Sequence, residues 1–130
     1  MADEALLAGL RVLARVEARA LAADLGGIRA VVVATADGFD LASALCSEAE
    51  ARRVSALASS IAAIGEVVSA ETGLGRSTGI TVNTETGFIH VLQVRRADAL
   101  LVINVVAGPD AVLAQVVLRA ARAAQRLVQA

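Results

Sequence analysis

Hydrophobic residues recur every three or four positions near the N-terminus, at Leu7, Leu10, Ala14, Ala18, Leu21 and Leu25, while Arg11, Arg15 and Arg19 line another face. That spacing predicts an amphipathic helix from Asp3 to about Leu25, stopped by Gly26-Gly27, where glycine accepts the left-handed conformation that ends helices. The period then changes. Ile28 to Thr35, IRAVVVAT, is dense in β-branched residues, and Asp37-Gly38 is a tight-turn signal before Phe39 to Leu45, so two strands joined as a hairpin are expected. Ser47-Glu48-Ala49-Glu50 has the spacing of a capping box, in which the Ser47 hydroxyl accepts from the Glu50 amide, and it opens a long helix that ends around Glu71 to Gly73. Three more strands are predicted at Arg76 to Asn83, Phe88 to Val94 and Ala99 to Val106. Their connections, Thr84 to Gly87 and Arg95 to Asp98, are short enough for a meander. Gly108-Pro109-Asp110 sets up a last helix with Pro in its first turn. Its apolar side is Leu113, Val116, Val117, Ala120, Ala124 and Leu127, and Gln115, Arg119, Arg122 and Arg126 take the solvated side.

The predicted order αββαβββα defines an α+β domain, and strand composition ranks the strands. Ile28 to Ala34, Arg29 apart, and Ala99 to Ile103 are apolar on both alternating faces, as strands covered on both sides should be. They belong at the centre. Phe39 to Leu45 and Gly79 to Asn83 interleave Asp40, Ser43, Thr81 and Asn83, which suits edges. Pairing each hairpin with its neighbour gives an antiparallel five-stranded sheet of order 2-1-5-4-3, with the first and last helices on one face and the middle helix on the other.

The middle helix is the unusual element, because VSALASSIAAIG, Val54 to Gly65, carries no charge on any face. At about 100° per residue, Leu57, Ile61, Ile64 and Val68 form one stripe with Val54 at its edge, expected to pack on the sheet. Ala58, Ala62, Gly65 and Ser69 form the flank, and Ser55, Ser59, Ala63 and Ala70 the far side, relieved only by Glu66. A helix apolar or small all round needs a second cover. The expectation is therefore a subunit interface at Ser55, Ala58, Ser59, Ala62, Gly65 and Ser69. The third strand, with Ile80 and Val82, has neither Lys nor Pro to block edge addition, so two sheets are expected to join there and bring the two middle helices together.

Composition mainly excludes. With 130 residues the chain fits one domain, 1–130. The net charge is −1 and only two aromatic residues exist, so nothing favours nucleic acid by bulk charge or base stacking. All 12 cationic side chains are Arg, and without Lys neither Schiff-base chemistry nor a P-loop is possible. Gly73 to Gly79, GLGRSTG, lacks the P-loop spacing and reads as a turn. One Cys and one His cannot form a structural zinc site, so no metal or cofactor is expected. No apolar run approaches the roughly 20 residues of a bilayer span. MADEALLAGL begins acidic with no basic leader, so cytoplasmic residence without membrane insertion is expected. Cys46 reads as a half-buried small side chain and His90 as a packed one, on a face with Phe88, Leu92 and Val94.

Together, GIRAVVVATADGFDLAS (Gly27 to Ser43), RRVSALASSIAAIGEVV (Arg52 to Val68), GLG at Gly73 to Gly75 and the meander with its closing helix resemble the Roadblock/dynein light chain family, bacterial branch. The resemblance covers about Gly27 to Leu127 and leaves the 1–25 helix aside. It implies a homodimer with adjoining third strands and middle helices, and a non-enzymatic adaptor or regulator of a small Ras-like GTPase in motility, polarity or signalling. Arg52, Arg53, Arg76, Arg95 and Arg96 are the exposed arginines open to a role in trans, and solvated charge is the plainer reading of each. Two other readings compete. One is a sensor holding an apolar ligand between sheet and helix. The other is an acyl-transfer enzyme using Ser47, His90 and Asp37, which lacks a nucleophile-elbow motif.

Overall fold

The computed structural model describes residues 4–130. Eight elements follow in the expected order: α1 (Glu4–Asp24), β1 (Ile28–Thr35), β2 (Asp40–Ala44), α2 (Glu48–Thr72), β3 (Gly79–Thr84), β4 (Gly87–Arg95), β5 (Leu100–Ala107) and α3 (Leu113–Gln129). The strands form one antiparallel sheet of order β2-β1-β5-β4-β3. The expected helix start at Asp3 lies outside the described residues. The last helix begins later than its sequence signals suggest. Gly108 to Ala111 closes a turn through Ala111 N–H to Gly108 O at 3.3 Å, so Pro109 sits ahead of α3 and not in its first turn.

Local chemistry accounts for the boundaries. Ser47 accepts the Glu50 amide at 3.2 Å, satisfying a donor that the first turn of α2 leaves free. At the other end Gly73 adopts a left-handed φ of 68° and returns its N–H to Ser69 O. Gly27, at φ 75°, lies so close to the segment before α3 that an added Cβ would stand 2.5 Å from Ala111 N.

The two faces of the sheet are packed differently. On one, Leu10, Ala14, Ala18 and Leu21 of α1 and Val116, Ala123 and Leu127 of α3 bury against Val31, Val33, Leu101, Ile103 and Val105. Burying the larger of these side chains stabilises by about 1.5–3 kcal/mol each, which makes this layer the main core. Ion pairs tie the two helices at their rim, Arg119 to Asp24 at 2.7 Å and Arg126 to Glu17 at 3.3 Å. Within α3, Leu113 and Val117, expected on the apolar side, are exposed, and Ala123 is buried. On the opposite face the apolar cluster is smaller, Ala58, Val91 and Val102, with Ala36, Ile61 and Ile89 at its margin. Asn104 is fully buried on that face and donates to Val32 O at 3.1 Å.

His90 is buried in β4, with Nδ1 2.9 Å from Thr81 Oγ1 of β3. Burial pushes its imidazole below the ordinary range, because the charged ring would lose water that it keeps in the unfolded chain. The unfolded chain therefore protonates near pH 6.5 while the folded one resists. The stability linked to His90 is complete above that pH and is lost as pH falls below it. The melting temperature is expected to drop between about pH 7 and pH 5.5, and His90→Leu to flatten that segment of the profile. Equal slopes for the two proteins would contradict this assignment.

Candidate functional site

The orientation of α2 reverses the expectation from its sequence. Ala51, Ser55, Ala58, Ala62 and Gly65 face the sheet and are buried. The large residues point outward: Leu57 is 59%, Ile64 60%, Val67 61% and Val68 53% exposed. Ser55, Ala58, Ala62 and Gly65, expected at a subunit interface, are thus covered by the chain's own sheet. Of the stripe expected on the sheet, only Ile61 packs at its margin.

The physical reason is distance. A Cβ added at Gly65 would stand 2.6 Å from Ser77 Oγ and 2.9 Å from Ile80 Cδ1, both under van der Waals contact. Small side chains line the inner face of the helix, and the larger ones turn away from the sheet. The Ser55 hydroxyl on the same inner face is buried and has no hydrogen-bond partner within the described residues. A buried unpaired hydroxyl costs about 1–3 kcal/mol.

The remaining predicted interface residues lie closer to the surface. Ser59 is half-buried and donates to Ala36 O at 3.0 Å. Ser69 is half-buried and donates to Gly75 O. Ile80 is half-buried and Val82 exposed, both on β3, the terminal strand of the sheet. Between the C-terminal half of α2 and β3 runs an open, mainly apolar groove of ≈ 480 Å³, lined by Ile64, Val68, Leu74 and Ile80 among others. Leu74, missed in the sequence, is 85% exposed at its rim. Outer α2, Leu74 and the β3 edge together make an apolar surface with no cover in the monomer.

By length and composition alone α2 is apolar enough to cross a bilayer, with a window of mean hydropathy 1.3. Its contacts with all five strands make it a layer of the domain, and its surplus hydropathy is the outward stripe.

Other candidate groups have separate partners. Ser47 Oγ is engaged by the Glu50 amide and His90 by Thr81, so the acyl-transfer set is not linked by hydrogen bonds. Burial pushes the Cys46 thiol up, an effect the Ser43 hydrogen bond opposes, which disfavours a reactive thiolate. Among the described residues no three His, Cys, Asp or Glu side chains cluster as metal ligands would. Arg95 is drawn to Glu66 at 3.1 Å and to Gln93 at 2.7 Å, and Arg96 pairs with Asp98 at 2.8 Å and also donates to Leu127 O. Arg52, Arg53 and Arg76 are exposed and have no ion pair among the described residues.

Residues 16–104 match the family model of the Roadblock/LC7 domain. The chain belongs to the Roadblock/LC7 family. Solved structures agree on the fold. The Roadblock/LC7 domain of Streptomyces avermitilis superposes with a TM-score of 0.77 at 18% identity, over 84% of this chain and 89% of that one. The gliding protein MglB of Thermus thermophilus gives 0.79 at 18% identity, over 92% and 89%. A structure of MglB in a tetrameric arrangement gives 0.72 at 25% identity, over 87% and 83%. No curated protein matches the chain by sequence. The family match begins inside α1 and ends in β5, so it spans the α2 surface and the β3 edge.

The helix-to-sheet contact gives different expectations for two glycines. Gly65→Ala gains about 1 kcal/mol of helix propensity but requires the Ser77 and Ile80 side chains to shift, so its urea midpoint should rise less than that of Gly9→Ala. Gly9→Ala in α1 meets nothing within 4 Å and should raise the midpoint through the same propensity. A Gly65→Ala protein as stable as Gly9→Ala would contradict the close approach.

Proposed function

We propose that this Roadblock/LC7 protein is a non-enzymatic homodimeric adaptor that binds a small Ras-like GTPase and shifts its nucleotide cycle. The observation that carries this reading is the outward apolar stripe of α2, continuous through Leu74 with the unpaired edge of β3. Exposed apolar surface of this kind marks an interaction site. In the proposed dimer the β3 strands of two copies pair near Ile80 and Val82, and Leu57, Ile64 and Val68 of each α2 meet the other copy or the GTPase. Ser59 and Ser69 lie beside that contact. The unit that dimerises is 1–130, with α1 as part of its core. The family match supports this reading, as do the MglB structures, one of which carries a tetrameric arrangement in its description. The mechanism is selection: a dimer that fits one switch-loop arrangement better than the other shifts the GTPase towards that state by the difference in affinity. Work inside the cytoplasm alongside such a GTPase fits this role.

The apolar groove between α2 and β3 is where a small apolar ligand would sit under the sensor reading. Dimerisation at β3 would close the same groove, so the two readings compete for one surface.

Light scattering after size-exclusion chromatography tests the proposal, with the protein alone and mixed with Ras-like GTPases in GDP and GTP-analogue forms. A dimer that captures one nucleotide state is expected, and Ile64→Arg should weaken self-association about tenfold or more while leaving the far-ultraviolet circular dichroism spectrum unchanged. A wild-type monomer that ignores both nucleotide states would overturn the proposal.

A further inference from the structure

The sheet has a second open edge, β2, and it differs in character from β3. Arg11, Arg15 and Arg19 project from α1 beside it and, with Arg52 of α2, line a polar cleft of ≈ 390 Å³ along that strand. Asp40 and Glu48 share the cleft, so four guanidinium groups face two carboxylates. Arg11 donates to Asp40 O at 3.4 Å, whereas Arg15, Arg19 and Arg52 have no ion pair among the described residues. Three positive side chains held beside an unpaired strand edge are a local excess of charge in a protein whose net charge is −1.

We infer that this cleft receives an acidic segment of a partner protein in extended conformation, which adds as a strand to β2 and places its carboxylates along the arginine row. Two physical features support that occupant. Residues four apart on a helix are separated by about 6 Å along its axis. Side chains on one face of a strand repeat every 6.4–6.8 Å or so, so alternate acidic residues fall beside successive arginines. The unpaired β2 backbone supplies the hydrogen bonds that make strand addition a general mode of peptide capture, and the guanidinium groups supply its selectivity. A lone phosphate would engage one or two arginines and leave the row and the strand edge unused. A flat anionic membrane matches the helix face of the row but not its recess against β2 and Arg52.

The site stands independently of dimerisation, because β2 and β3 are opposite ends of the sheet. A dimer joined at β3 would carry two such clefts, one at each outer edge.

The test is fluorescence anisotropy of the full chain with a labelled decapeptide of alternating Glu and Thr. Its controls are the Lys-for-Glu peptide and a Glu-Thr peptide N-methylated at alternate amides. Saturable binding that weakens with added salt is expected for the Glu-Thr peptide alone. The paired substitutions Arg15→Glu and Arg19→Glu should weaken it about tenfold or more, with Arg52→Glu as a second variant on a separate helix and unchanged melting temperatures confirming the fold. No saturable binding, equal binding by both variants, or indifference to N-methylation would each overturn the inference. Capture of phosphatidylserine vesicles without peptide binding would overturn it too, assigning the arginine row to a lipid surface.

Discussion

The close approach of α2 to the sheet is the constraint on which the surface of this protein depends. Gly65 stands in close contact with the Ser77 and Ile80 side chains, and Ala51, Ser55, Ala58 and Ala62 continue the same small-residue seam. A seam of that kind admits the backbone closely and excludes bulk. Leu57, Ile64, Val67 and Val68 therefore occupy the outside of the helix, where a monomer has nothing to cover them. An apolar surface and a thin inner contact are thus two results of one geometric fact.

The division of labour between the two faces of the sheet follows. The α1 and α3 layer holds the large buried side chains and two ion pairs at its rim. The α2 layer holds little apolar contact and buries Ser55 and Asn104. Stability is supplied on one side, and the other is left to present a surface. The sheet order assists, because it places the strand next to the C-terminal half of α2 at an open edge and puts the arginine-flanked β2 at the far end.

Much of this was legible in the sequence where the signal is local. Ile28–Thr35 is bounded as its β-branched run indicates, Ser47 caps α2, Gly73 ends it, and the strand order follows from which runs are apolar on both faces. Facing was not legible by size alone. Amphipathic reasoning assigns the bulkiest stripe to the core, which holds when the helix sits at an ordinary distance from its partner. Here the spacing of Ala51, Ser55, Ala58, Ala62 and Gly65 by four, three, four and three residues was itself a seam, visible in the sequence, and it packs on the chain's own sheet. Pro109 misled in a smaller way, since a proline acceptable in a first turn is equally acceptable in the turn before it.

Cysteine accessibility along α2 tests the facing of this helix and the role of its outer stripe in a single measurement. In a Cys46→Ser background, single substitutions Leu57→Cys, Ala58→Cys, Ala62→Cys, Ile64→Cys and Val68→Cys would be labelled with maleimide over a range of protein concentrations. The account predicts that positions 58 and 62 stay protected throughout, while 57, 64 and 68 label rapidly in dilute protein and become protected as concentration rises. Rapid labelling at 58 and 62, or labelling at 57, 64 and 68 that ignores concentration, would contradict it.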